Sequence, residues 1–235
     1  MSTRRLDSSF GTVVGSVFSL VSMVAGCSGL GPNVSDGRYS EPNGRFSLPV
    51  PELGPGAKCE EKHETDPGTK LATGSVSFTD DFGQVRAVQY QQGPPEVAKT
   101  MSDPSVAPGM LKVFLHQAVV SRIQQFIPKT RVVQEDPTTL ADGTPGYFAA
   151  LEIPEGSPIL QLSSEHPGGR RLDSTRGYLI VYRGDTFFAL SAADDFNSMP
   201  APNQADSKAS GELEPAKWEK LKDMLTKLYS GTQFK

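Results

Sequence analysis

Apolar and polar residues alternate in short runs through most of the chain, and two stretches replace the alternation with a helical pattern. Arg45 to Val50 (RFSLPV) sets Phe46, Leu48 and Val50 on one side, which is strand periodicity. Pro49 and Pro51 place this strand at an edge or a strand end. Ala57 to His63 predicts a polar second strand. Leu71 to Thr79 and Gln84 to Gln91 are clearer strands, with Val76, Phe78, Val85 and Val88 apolar, joined by the turn cluster Asp80-Asp81-Phe82-Gly83. Gly93 to Pro108 holds four prolines and is expected to be a loop. Met110 to Ile127 has helical length without Gly or Pro, and its apolar residues cover so much of the circumference that a well-buried helix is expected. Pro128 ends it.

Four further strands are expected: Thr130 to Glu135, Gly146 to Ile153, Ser174 to Arg183 and Thr186 to Ala193. The last two are joined by the tight turn Arg183-Gly184-Asp185. Asp195 to Gly211 is polar and reads as a loop. From Pro215 to Tyr229, Trp218, Leu221, Leu225 and Leu228 form one apolar stripe among lysines and acids, a helix facing a sheet. Gly231 is a natural stop, with Phe234 returning to the core. Strands, helix, strands, helix predict an α+β fold: an antiparallel sheet with helices packed on its faces, an α/β/α sandwich.

The N-terminus follows a different pattern. Arg4 and Arg5 precede an apolar run from Thr12 to Ala25, about 14 residues long, too short for the roughly 20 that span a bilayer. A basic start, a short apolar run and small residues before a cleavage point make a secretory signal over 1–26. Its end, Val24-Ala25-Gly26-Cys27, resembles the bacterial lipobox. That resemblance implies cleavage between Gly26 and Cys27, a thioether-linked diacylglycerol on Cys27 and an amide-linked acyl chain such as palmitate. Two or three acyl chains, at about 0.8 kcal/mol per buried CH₂, hold a protein on a membrane durably. Ser28 rather than Asp at the next position fits the outer membrane of a Gram-negative cell. The flanks of Arg4-Arg5 fit twin-arginine export poorly. Residues 27–43, rich in Gly, Pro, Ser and Asn, are expected to be a lipidated tether, and 44–235 a single globular domain.

Composition narrows the function. The formal net charge of −4 argues against non-specific nucleic-acid binding, which needs clustered Lys and Arg. Two cysteines exclude a disulfide-rich scaffold. With Cys27 lipidated, Cys59 is left as an inert semi-buried thiol or one that pairs between chains.

Gly44-Arg45-Phe46-Ser47-Leu48-Pro49, the hairpin after it, the helix ending near Ile127, Gly143-Thr144-Pro145-Gly146-Tyr147 leading into a strand, the aromatic hairpin Gly177 to Ala193 and the closing helix with Phe234 together resemble the PsbP/Mog1-type fold, over about Arg45 to Phe234. The chain departs from that pattern at Pro51 to Gly56, where many members carry a Trp. The resemblance implies a sandwich used mostly for binding or assembly. It implies no catalytic residue, and fold alone does not give function.

No nucleophile elbow, phosphate-binding Gly-rich loop or Cys-x-x-Cys pair occurs in the sequence. His63, His116 and His166 lie about 50 residues apart, so a metal site would have to be assembled by folding, from His63, Asp80, Asp81 and His166. The bland alternative for Asp80-Asp81 is turn chemistry. Arg170 and Arg171 form a basic tip: either a solvated loop or a contact for anionic headgroups or an acidic partner. The expected function is a membrane-anchored envelope lipoprotein with a non-catalytic domain that binds an envelope protein or an apolar ligand. The alternatives are a lipid or small-ligand carrier, and an enzyme or metal-binding protein whose site comes from residues distant in sequence. No cofactor is expected.

Overall fold

Strands with apolar residues at every second position come first in the large sheet and strands apolar at nearly every position later, and the two kinds lie in different halves of that sheet. The computed structural model describes residues 31, 33–157, 159–161, 168–194 and 213–235. Seven antiparallel strands pair in the order β4 (Lys58–Thr65), β5 (Ala72–Thr79), β6 (Gln84–Gln92), β12 (Thr186–Asp194), β11 (Ser174–Arg183), β8 (Pro145–Ile153) and β7 (Arg131–Thr139). A second sheet joins β1 (Val34–Ser35), β2 (Arg38–Ser40), β3 (Phe46–Pro49) and β13 (Gln233–Phe234). A two-stranded ribbon pairs β9 (Leu160–Gln161) with β10 (Arg170–Arg171).

Helices cover both faces of the large sheet, so the expected α+β sandwich is the observed fold. On one face lies α3 (Pro215–Gly231), which buries Trp218, Leu221, Leu225, Leu228 and Tyr229. With the small sheet it encloses a core that includes Phe46, Leu48, Phe78, Val88, Leu179, Phe188 and Leu190. Trp218 meets Phe148 edge-on at 6.3 Å, and Phe234 returns to Phe188 at 4.8 Å. On the other face α1 (Pro95–Met101) and α2 (107–126) pack on Tyr147, Leu151, Tyr178, Ile180 and Phe187.

Three local expectations are corrected. The tether expected over 27–43 extends too far: Val34–Ser35 and Arg38–Ser40 are strands, and Tyr39 is buried against Phe46 and Phe78. Asp36 (φ 49°) and Gly37 (φ 70°) make the two-residue turn between β1 and β2, in the left-handed conformation that Asp-Gly tolerates. The loop expected over Gly93 to Pro108 contains α1. With only Val97 buried, this helix has too few apolar residues to show a period. The long helix is not buried all round. Ala107–Phe114, a π-helical stretch Leu115–Val120 and Ser121–Phe126 run on from one another, burying Leu111, Leu115, Val119 and Val120 and leaving Val113 and Phe126 exposed. The wider π turn shifts the apolar stripe along the surface, so a plain helical period overstates the buried face.

Candidate functional site

Strand β4 borders two different polar environments, because its successive side chains point to opposite faces. Lys62 and Glu64 face α2. Glu61 and His63 face the small sheet.

The α2 side holds a groove of about 230 Å³. Ala118, Val119, Ile123 and Phe126 make its helical wall. Thr73, Ser75 and Gln89 make a hydroxyl and amide floor, and Lys62, Glu64 and Arg122 stand at its rim. The floor is polar because β5 keeps strict alternation, with Val76 and Phe78 inward on the α3 face and Ser75 and Ser77 on this one. Phe126 is 63% exposed, at the end of a helical segment, Ser121–Phe126, that buries no residue. Lys62 and Glu64 pair at 2.8 Å. Burial pulls the Arg122 guanidinium below its ordinary range, against the pull of Glu64. The groove therefore offers one greasy wall, hydrogen-bonding groups opposite it and charges at the mouth, which suits an amphipathic guest.

On the other side, His63 sits between two carboxylates. Its Nδ1 lies 3.2 Å from the Tyr90 hydroxyl and 3.6 Å from Glu41, and its Nε2 lies 3.2 Å from the Tyr39 hydroxyl and 3.4 Å from Glu61. Tyr39 donates to Glu61 at 2.8 Å and Tyr90 donates to Glu41 at 2.9 Å. Asn33 donates to both Glu61 oxygens, and Asn43 and the Arg45 amide donate to Glu41. Burial would raise the Glu61 carboxyl, but the hydrogen bonds from Asn33, Tyr39 and His63 outweigh it and hold the group below its ordinary value. Burial, then Glu61, pushes the Tyr39 hydroxyl up, and burial, then Glu41, does the same to Tyr90. Gly74 stands opposite both His63 and Tyr90 in the sheet register. A Cβ there would lie 2.7 Å from the Tyr90 ring, so the glycine lets that ring reach across β5 and stack on His63. The cluster fastens the small sheet to the large one.

Of the residues expected to assemble a metal site, His63, Asp80 and Asp81 are not brought together. Asp80 follows Thr79, which pairs with Lys58, five residues along β4 from His63 and so roughly 17 Å away. Buried Asp80 accepts the backbone N–H groups of Gly54, Phe82 and Gln84 at 2.8, 3.0 and 3.0 Å, which is the turn role. Asp81 is exposed beside Gly56. His166 lies outside the described residues, as do Gly26 and Cys27. Among the described residues no three His, Cys, Asp or Glu side chains converge as metal ligands. His116 bonds Glu135 at 2.9 Å on the surface of α2. Arg170 and Arg171 are exposed on the β9–β10 ribbon, where Arg170 pairs with Glu155 at 3.3 Å and Arg171 stands opposite the exposed Leu160. Cys59 is buried in the core, which disfavours pairing between chains. Sequence reasoning missed Glu41, Glu61, Tyr39 and Tyr90. The Asp36-Gly37 hairpin signal would have placed Tyr39 in a strand, but nothing in the sequence brings Glu41 to His63.

No helix among the described residues is long and apolar enough to cross a membrane. No family model matches the sequence, and no curated protein matches it. In fold the chain is similar to the solution structure of cyanobacterial PsbP (CyanoP) from Synechocystis sp. PCC 6803, with 11% sequence identity and a TM-score of 0.45 over 84% of this chain and 91% of that one.

Proposed function

We propose that this protein is an envelope lipoprotein, anchored through Cys27, whose domain binds a partner protein without catalysing a reaction. The groove between α2 and β4–β6 carries this reading. At about 230 Å³ it falls below the roughly 300–1,000 Å³ of small-molecule pockets, and its floor is Thr73, Ser75 and Gln89. An acyl chain would leave those polar groups without water or partners, which is costly. A peptide supplies both what the wall and what the floor require: a large apolar side chain for Ile123 and Phe126, and main-chain amides for the hydroxyls and Gln89. The exposed Phe126 ring has the character of an interface anchor. The acyl anchor would hold such a domain near envelope partners. The lipid-carrier reading needs an apolar cavity that takes an acyl chain whole, and this groove is small and floored by Thr73, Ser75 and Gln89.

The test places a photoreactive phenylalanine analogue at position 126 of the full chain and irradiates intact cells. The expected product is one protein adduct, lost when Ser75→Trp fills the groove, together with labelled palmitate on the wild-type chain and none on Cys27→Ala. A phospholipid adduct would overturn the partner reading in favour of a carrier. An adduct indifferent to Ser75→Trp would remove the groove from the function, and palmitate-free wild-type protein would remove the anchor.

A further inference from the structure

The two edges of the large sheet are built differently. Strand β7 carries Pro137 and a register shift between Val132 and Gln134, devices that stop another strand from adding. Strand β4 has neither. It pairs with β5 through eight consecutive residues without a bulge, and among the described residues no strand pairs with its outer side. Its α2-face positions read Lys58, Glu60, Lys62, Glu64, a strict alternation of charge at every second residue.

In a closed two-fold pair such an edge meets its own copy antiparallel, and there the register decides whether the charges match. Centring two copies on Glu61 sets Lys58 against Glu64 and Glu60 against Lys62, each twice by the two-fold axis, so every pair on this face is of opposite sign. Sliding the register by two residues either way sets Lys58 against Lys62 and Glu60 against itself, or Glu60 against Glu64 and Lys62 against itself. Parallel in-register pairing sets like against like throughout. On the other face Cys59 falls opposite His63, and the single like-charged contact is Glu61 with its own copy. Each of those carboxylates is already held by Asn33, Tyr39 and His63. Directly opposed residues in such a ladder have Cα atoms about 4.5–5.5 Å apart, close enough for the charges to meet.

We propose that β4 is a homodimer edge: two copies of this chain pair antiparallel about Glu61 and continue one sheet across both molecules. The pairing is isologous, as a two-fold dimer requires. It also adds to the rim of the α2 groove, because Lys62 and Glu64, which pair with each other in one chain, gain Glu60 and Lys58 of the second copy. A strand edge alone buries less than the roughly 1,600 Å² of a standard interface, so the dimer is weak and concentration-dependent.

The test uses the full chain in detergent at one chain per micelle, followed by sedimentation. Wild type is expected to shift from monomer to dimer with rising concentration. K58E/K62E and E60K/E64K make the edge all-negative and all-positive, and each is expected to stay monomeric with unchanged thermal unfolding. Their equimolar mixture is expected to recover the dimer. As a second measurement, independent of the double variants' folding, chains carrying E60C and K62C are mixed under mild oxidation. The mixed disulfide is expected to exceed either chain's own cross-link about tenfold, since Cα atoms some 5 Å apart can be bridged and diagonal ones near 7–8 Å cannot. A wild-type chain that stays monomeric at about 1 mM, folded charge variants that dimerise as wild type does, or equal cross-linking in all three samples would each overturn the proposal.

Discussion

Two transverse rows of residues cross the large sheet one position apart, and they differ in a way that explains where the protein is sealed and where it is open. On the α3 face the row runs Glu61, Val76, Val88, Leu190, Leu179, Phe148. On the α2 face the neighbouring row runs Lys62, Ser75, Gln89, Ala189, Ile180, Tyr147. The first is apolar from β5 to β8 and is covered along its length by α3 and the small sheet. The second is apolar only from β12 onward, beneath α1 and the first turns of α2, and polar across β4, β5 and β6, where the later turns of α2 wall the groove. The same strands therefore make a core on one side and a binding surface on the other.

The sharpest way to break this comparison is to truncate one residue in each row on neighbouring strands. Leu190 is fully buried on the α3 face, so Leu190→Ala removes its transfer free energy and leaves a cavity, an expected loss of about 2–5 kcal/mol. Gln89, next door on the α2 face, lines the groove floor, and Gln89→Ala is expected to change stability by no more than about 0.5 kcal/mol. Urea unfolding of the two variants measures both. Comparable losses would mean that the polar half of the α2 face is as tightly packed as the core.

Much of this contrast was legible in the chain. Strict alternation in β5 announced one wet face, and the near-continuous apolar runs of β8 and β12 announced cover on both faces, because strands buried on two sides lose their polar positions. The stripe of α3 was equally plain. Three features were not. The π turn in α2 changes the helical period without changing composition, so the exposure of Phe126 could not be read from spacing. Helix α1 is too short and too polar to show a stripe. The carboxylate cluster joins Glu41 to His63 only because the small sheet folds back onto β4, a contact that depends on tertiary packing. The Asp36-Gly37 turn was a local signal present in the sequence, and it marks where the domain begins more accurately than composition does.

A substitution of intermediate effect tests how the α3 face closes at its polar end. His63, Gly74 and Tyr90 occupy one row, and a Cβ at Gly74 would lie 2.5 Å from the Lys62 carbonyl oxygen and 2.7 Å from the Tyr90 ring. Gly74→Ala is expected to cost about 1–3 kcal/mol, the usual cost of overpacking, and to displace Tyr90 from Glu41. Thermal unfolding gives the first quantity. The second appears as faster exchange of the Arg45 amide, which Glu41 accepts at 3.0 Å in the intact cluster. Unchanged exchange with reduced stability would mean that the small sheet is held by its apolar residues alone.

The smallest expected effect concerns acid. Hydrogen bonds from Asn33, Tyr39 and His63 hold the Glu61 carboxyl below its ordinary value in the folded chain, against the opposing effect of burial. A carboxyl with a depressed folded pKa binds fewer protons folded than unfolded, so stability rises with pH across the interval between the two values. The contribution of Glu61 is complete above its unfolded pKa of about 4.3 and disappears as the pH falls through the folded value. Glu61→Gln keeps the shape and removes the titration. The variant is therefore expected to lose stability at neutral pH relative to wild type and to converge with it as the pH falls through the lowered folded value. Urea midpoints for both chains across that range measure the difference. Parallel curves would show that the bonds seen around Glu61 favour its charged and neutral forms equally. The polar end of the α3 face would then close by shape, as the apolar remainder of the row does.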